Sequence, residues 1–492
     1  MGLFLGPVLF ILFSILPAPA DMEPQAWRVA AIAVLMAVWW ITEAIPIPAT
    51  ALLPILLFPV MGVMSGSDVT QSYAHHLIYL FLGGFLIAVT VEKWDLHRRI
   101  ALHTIKLIGV TPDRIILGFM LATAFLSMWI TNTAATMMML TIGLAVLNQI
   151  AGEIEQQQAL RVDTRKGHFR FGTALMLGIG YSASIGGVAT LIGTPPNAIL
   201  AGVIEQTYGT TINFLDWMLF GVPLSLLMLI ITWLYLTRIA YPSEIDHLPG
   251  GRDTINREII RLGTISRQEK HVLLVFIGVA CLWIIRGLFD LEAFKMIKDS
   301  TIAIGGAMLL FIIPSDFKKN EFLLDWKTAT TIPWDILILF GGGFALAQGF
   351  SESGLTHFIA DQLSVLEGSN IILVVATVAL LVTFLTEITS NTATASLLLP
   401  VMAALAGAMQ IHPYGLMISA AIAASFAFML PVATPPNAIV FSSRYISIPQ
   451  MVRAGIWLNL IGILIITAFV IFFLPVIWGL DISVLPVEFV TD

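Results

Sequence analysis

Apolar residues run in long stretches along this chain, and polar residues interrupt them at intervals. Val29–Ile41, Leu77–Val91, Val272–Ile285 and Trp457–Trp478 carry no charge. With their flanks, such stretches approach the ~20 residues that cross about 30 Å of hydrocarbon. The pattern predicts spans near 2–17, 26–44, 46–63 and 77–95, two shorter arms at 113–130 and 134–149, then spans near 171–206 and 213–240. A polar stretch at 241–270 follows. Beyond it come spans near 271–290, 299–313 and 332–352, arms near 370–388 and 393–409, and spans near 414–446 and 453–480. The short alternating segments of a membrane barrel are absent, so the fold class is an all-α polytopic membrane protein. The apolar run Gly2–Leu16 lacks the basic start of a secretory signal and is expected to be the first span.

The interruptions repeat. Thr131-Asn132-Thr133 and Ser390-Asn391-Thr392 each sit between two arms, 259 residues apart. Two glycine-rich knots ending at Phe85 and Phe344 show the same offset of 259. Gly193-Thr194-Pro195-Pro196-Asn197 echoes Ala433-Thr434-Pro435-Pro436-Asn437 at an offset of 240. Three matched features in one order mean an internal duplication. Helix-breaking signals at corresponding places in two apolar halves point to a transporter's binding site.

Basic residues orient the halves. Arg161, Arg165, Lys166 and Arg170 mark one cytoplasmic loop, and Arg252, Arg257, Arg261, Arg267 and Lys270 mark the connector. Lys318, Lys319 and Lys327, then Arg444 and Arg453, mark two more, whereas Arg28, Lys295 and Lys298 run against the pattern. Threaded this way, the glycine knots cross in opposite directions, which makes the repeats inverted. The expected organisation is an N-terminal half at 1–240 with a hairpin at 113–149 opening inward. A cytoplasmic connector at 241–270 leads to a C-terminal half at 271–492, whose hairpin at 370–409 opens outward.

Each triplet has two readings: a turn capped by Ser, Thr or Asn, or the tip of a re-entrant hairpin. Their recurrence on opposite faces favours tips, and irregular backbone at membrane depth survives only when buried or lining a cavity. Hydroxyls, amides and helix N-termini can grip a carboxylate, while hydroxyl, amide and carbonyl oxygens suit a hard cation. Pro195-Pro196 and Pro435-Pro436 remove donors and disfavour helix just before them. The carbonyls of residues 192–194 and 432–434 should therefore come free. No Lys or Arg lies within ten residues of either triplet, and Glu387 is the one nearby acid. An anion held there would be neutralised by helix ends and co-bound cations. The glycine knots read as close helix packing.

Composition narrows the classes. A mean hydropathy of +0.92 with 11% charged residues excludes an ordinary soluble protein. A single cysteine, Cys281, allows neither an internal disulfide nor a two-cysteine metal site. No paired base and nucleophile marks an enzyme, no basic patch marks a nucleic-acid partner, and no polar segment is long enough for a sensor's output domain.

On the segment WWITEAIP, both triplets and both Thr-Pro-Pro-Asn elements, the chain resembles the divalent anion–sodium symporter family over essentially its whole length. The resemblance implies a homodimer of eleven-span protomers in the plasma membrane, with a scaffold and a mobile transport domain working as an elevator. It implies a carrier taking in succinate, malate or fumarate with sodium, and no organic cofactor; the composition suits a bacterial inner membrane. Thr131, Asn132 and Thr133 would face one carboxylate and Ser390, Asn391 and Thr392 the other, with Thr194, Pro195, Thr434 and Pro435 lining the same cavity. One sodium site would use Ser127, Thr131, Asn132 and Gly193. The other would use Thr386, Thr389, Asn391 and Ala433. The chain departs from the family at Thr131, where serine is usual. Sulfate or tricarboxylate transport, and cation-independent dicarboxylate exchange, are the alternatives.

Overall fold

The structure is a computed structural model that describes residues 2–109, 111–156, 162–245, 251–289, 294 and 296–489. Arg161 and Lys295 of the charge pattern, and residues 1, 246–250 and 490–492 of the expected segments, lie outside the described residues. The first half contains α1 (Gly2–Ile15), α2 (Pro24–Thr42), α3 (Ile47–Thr50), α4 (Leu53–Val60), α5 (Gly66–Tyr73) and α6 (His76–Lys93). It continues with α7 (Leu96–Ile108), α8 (Pro112–Ser127), α9 (Asn132–Gln156), α10 (Arg170–Gly187), α11 (Pro195–Tyr208) and α12 (Phe214–Leu234). The connector carries α13 (Gly251–Leu262). The second half begins with α14 (Arg267–Leu288), α15 (Asp299–Ile312), a two-stranded ribbon of β1 (Pro314–Asp316) and β2 (Glu321–Phe322), α16 (Trp326–Ala329) and α17 (Trp334–Glu352). It ends with α18 (Leu355–Leu363), α19 (Ile371–Thr386), α20 (Asn391–Ala408), α21 (Pro413–Ala423), α22 (Pro435–Ser442), α23 (Ile448–Ala468) and α24 (Leu474–Trp478).

Among the described residues, eight helices are long and apolar enough to cross a membrane, and five shorter apolar helices accompany them. The protein is an integral membrane protein, and burial sorts its helices. Every residue of α10 from Phe171 to Gly187, and every residue of α21, is buried. Helices apolar all round belong in the core of a membrane bundle. By contrast α14 exposes Leu274, Ile277 and Leu288, and α23 exposes Trp457 and Leu464, as lipid-facing helices do.

Proline and glycine explain most departures from regular spans. The stretch predicted as one span at 46–63 is two short helices, because Pro48 and Pro54 each sit in a helical first turn and restart the helix. The glycine knots are places of close approach. A Cβ on Gly83 would lie 2.6 Å from Ala303 backbone, and one on Gly342 would lie 2.4 Å from Ala51 O. These contacts draw α6 onto α15 and α17 onto α3. After residue 95 the stretch carrying Arg98, Arg99 and Lys106 forms amphipathic α7, burying Leu96, Ala101, Leu102 and Ile105. Arg98 pairs with Glu258 of α13 at 2.6 Å, and Arg99 with Glu269 of α14 at 2.6 Å.

Candidate functional site

Each hairpin turns through four residues. Helix α8 ends at Ser127 and α9 starts at Asn132; α19 ends at Thr386 and α20 starts at Asn391. Thr131 Oγ1 accepts the Ala134 N–H at 3.2 Å, a side-chain cap of α9, whereas Ser390 makes no such cap bond. Behind the first tip, Ser127 Oγ donates to Ala183 O at 2.8 Å and meets Asn132 Oδ1 at 2.5 Å. Behind the second, Thr386 Oγ1 donates to Ala424 O at 3.0 Å and meets Asn391 Oδ1 at 2.6 Å. A hydroxyl has one proton and cannot serve both acceptors. Oxygens therefore crowd together without enough hydrogen between them. In the first half the crowding is greater, since Asn132 Oδ1 also faces Ala183 O at 3.3 Å and Gly193 O at 3.1 Å. Turning the amide over would let its nitrogen donate to these oxygens; a bound cation satisfies the same set with the oxygen inward.

The Thr-Pro-Pro-Asn elements break two helices. Helical structure stops after Gly187 and Ala423 and resumes at Pro195 and Pro435, so the irregular stretches begin earlier than residues 192 and 432. The asparagines of these elements fold back onto the opened carbonyls. Asn197 Nδ2 reaches Gly187 O (3.2 Å), Val188 O (3.3 Å) and Thr190 O (2.7 Å). Asn437 Nδ2 donates to Ala427 O (3.0 Å) and Leu430 O (3.1 Å). Neither asparagine was singled out from sequence as a site residue, although both stand inside the repeated element. Gly187 gives close approach at the first break, where a Cβ would lie 2.7 Å from Asn132 Oδ1 and force that amide to shift. Each break is also tied to its tip. Thr190 Oγ1 donates to Met128 O at 2.5 Å, and Glu387 takes the Phe428, Met429 and Leu430 N–H groups.

Both tips and both breaks meet at one cavity of about 1190 Å³. Its walls include Thr131, Asn132, Thr133, Gly193, Thr194 and Pro195 from the first half, and Thr389, Ser390, Asn391, Thr392, Ala433, Thr434 and Pro435 from the second. Ser127 and Thr386 are fully buried behind the tips. Thr389 lines the cavity, but its hydroxyl donates to Leu385 O (2.8 Å) and meets Thr394 Oγ1 (2.7 Å). Among the described residues, no Lys or Arg lines the space. Apolar side chains fill much of the wall, and Ile388 and Val432, at 68% and 81% exposure, face into it. The mouth is marked by exposed Glu43, Glu92 and Asp335, at the ends of α2, α6 and α17. Of these ends, that of α6 carries a basic residue, Lys93. Lys93 donates to Asp325, holding that carboxyl down to about 2.

At the other end of α6, His75, His76 and Glu205 form the one histidine–acid group close enough for a metal among the described residues. The carboxylate is already served by donors: His76 Nε2 at 2.6 Å and Lys298 Nζ at 3.1 Å. His75 Nδ1 accepts the Leu77 N–H, which leaves its proton on Nε2 toward Glu205. This is an ion-pair network joining α6, α11 and the approach to α15, rather than a vacant ligand set.

The transmembrane region of the sodium:sulfate symporters matches residues 1–480. The chain belongs to this family. A sodium-dependent dicarboxylate transporter SdcS of Staphylococcus saprophyticus is 45% identical over 487 residues, covering 98% of this chain and 93% of the relative. The SdcS protein of Staphylococcus aureus strain MRSA252 is 46% identical over 486 residues, covering 98% and 92%. Among solved structures, the YdaH transporter of Alcanivorax borkumensis aligns at a TM-score of 0.60 with 14% identity, covering 91% of this chain and 98% of that one. MtrF of Neisseria gonorrhoeae aligns at 0.56 with 12% identity, covering 95% and 94%. These two share the fold. Membership agrees with the resemblance drawn from the triplets and the proline elements.

Proposed function

We propose that this protein is a sodium-coupled symporter that carries C4-dicarboxylates such as succinate, malate and fumarate into the cell. The observation that carries the reading is the meeting of two duplicated oxygen sets at one cavity that, among the described residues, no cationic side chain lines. One carboxylate would bind at Thr131–Thr133 and the other at Ser390–Thr392, with the hydrocarbon middle against the apolar wall. Sodium ions in the sets around Asn132 and Asn391 would supply the positive charge that the walls lack. The same ions answer the membrane potential. A naked dianion entering against 100 mV, inside negative, faces about 4.6 kcal/mol at ~2.3 per charge, which two sodium ions cancel.

Glu92 at the mouth stands beside Lys93, which pairs with Asp325 between Lys319 and Lys327; the positive-inside rule puts such a basic side in the cytoplasm, so we read this arrangement as the inward-open one. Movement of the hairpins and broken helices against the remaining helices, as an elevator in a homodimer, would carry the site to the other face. Sulfate is the second reading, favoured by the family's description. The separation of the two triplets and the apolar wall between them support a longer, two-ended anion. The test is uptake of labelled succinate into proteoliposomes. Inward sodium should drive it and excess sulfate should compete weakly. Equal uptake with potassium or choline in place of sodium would reject the coupling.

A further inference from the structure

The duplication is inexact beside the site: Trp129 stands against Ile388 and Ile130 against Thr389, and one further mismatch brings in a charge. The offset of 259 that pairs Ser127 with Thr386 and Asn132 with Asn391 sets Met128 against Glu387. Glu387 is 3% exposed. Its Oε1 accepts from Phe428 N (2.8 Å), Met429 N (2.9 Å) and Asn459 Nδ2 (2.7 Å), and its Oε2 accepts from Leu430 N (3.0 Å). No acceptor is paired with either oxygen, so the group is satisfied as a carboxylate, which only accepts. All four donors are neutral. They stabilise the charge without cancelling it, and a net negative charge stays buried at the second tip. The first tip has Met128 and a neutral hydroxyl tie through Thr190.

The position of this charge matters. Glu387 directly follows Thr386, whose hydroxyl stands with Asn391 and Ala424 O in the second oxygen set. Its backbone partners at 428–430 lie in the same opened stretch as Ala424 and Ala433. Consecutive Cα atoms are 3.8 Å apart, so the carboxylate lies within roughly 10 Å of the second set. At that range and an effective dielectric of ~20, a unit charge is worth more than a tenfold step in cation affinity.

We propose that Glu387 is a positioning residue that makes the two cation sites unequal: it holds segment 428–430 against the second hairpin tip and lends its charge there, so that site binds sodium more tightly than the first. This rests on the sodium-symport reading above. The test is a sodium titration of succinate uptake in proteoliposomes at fixed membrane voltage. Glu387→Gln should raise the half-saturating sodium concentration about tenfold or more, equivalent to about 1.4 kcal/mol, while maximal uptake at saturating sodium stays within about threefold. Glu352→Gln, which neutralises an exposed carboxylate at the end of α17, should leave sodium half-saturation unchanged. A merely structural role would lower maximal uptake and thermal stability without moving sodium half-saturation. A sodium-dependent wild type with Glu387→Gln within twofold of it overturns this inference alone. A wild type indifferent to sodium overturns the symport reading as well.

A second measurement does not depend on Glu387→Gln folding. A ligand that binds only the folded state raises thermal stability according to its concentration over Kd. At a few millimolar sodium, Ser127→Ala should keep most of the sodium-induced rise in melting temperature and Thr386→Ala should lose it. Equal losses, or the reverse order, would overturn the inequality.

Discussion

Gly187→Ala tests whether the oxygens around Asn132 form a cation site. Gly187 ends α10, and an added Cβ would lie 2.7 Å from Asn132 Oδ1, 3.0 Å from Gly193 O and 3.1 Å from Asn132 Nδ2. Real Cβ atoms do not approach oxygen at 2.7 Å, so the Asn132 amide must shift by several tenths of an ångström, away from Gly193 O and Ala183 O. Overpacking of this kind costs about 1–3 kcal/mol. If that falls on the sodium-bound state, half-saturating sodium rises about 5- to 150-fold. Gly407→Ala is the control, because nothing lies within 4 Å of its added Cβ in α20, and alanine favours helix there. The assay is succinate uptake into proteoliposomes over a range of sodium, with thermal melting of the purified variants in parallel. Wild-type sodium half-saturation in a folded Gly187→Ala protein would refute the cation-site reasoning.

Asn132→Ala and Asn391→Ala each remove one half-buried amide from an oxygen set, and each should weaken sodium dependence by about 1–3 kcal/mol; uptake at low sodium should nearly vanish, and wild-type sodium curves would contradict this. Asn197→Leu strips the amide from three buried carbonyls of the first break, at a cost of ~2–4 kcal/mol, so the purified protein should melt several degrees lower; an unchanged melting temperature would contradict it. Thr131→Ser keeps the hydroxyl that caps Ala134 N and removes a methyl, so succinate KM should stay within about threefold, and a larger change would show that the methyl shapes the site.

Much of this architecture is written locally in the chain. The triplets, the proline elements and the glycine knots each impose a backbone event at a fixed place, and the shared offset shows that the events come in pairs. That is why residues 131–133 and 390–392 could be put forward as one site before any coordinates, whereas Ser127, Thr386 and Thr389 entered only through the family resemblance. Other features depend on what the chain meets after folding. Nothing near Asn197 or Asn437 tells that their amides turn back onto the opened carbonyls, because those acceptors exist only once the helices unwind. Glu387 stood out as a lone acid, but its partners at 428–430 and Asn459 are distant in sequence. Helix α7 was hidden by Arg98, Arg99 and Lys106, whose charges masked an apolar face that needs α13 and α14 beside it. The short helices α3 and α4 came from prolines inside an apolar run too continuous to show a break.

A density map of the protein in lipid with sodium and succinate bound tests the central claim most directly. One succinate should bridge the two hairpin ends, with one carboxylate within about 3 Å of Thr131–Thr133 and the other equally close to Ser390–Thr392. Succinate lodged elsewhere, or held by both carboxylates on one triplet alone, would contradict it.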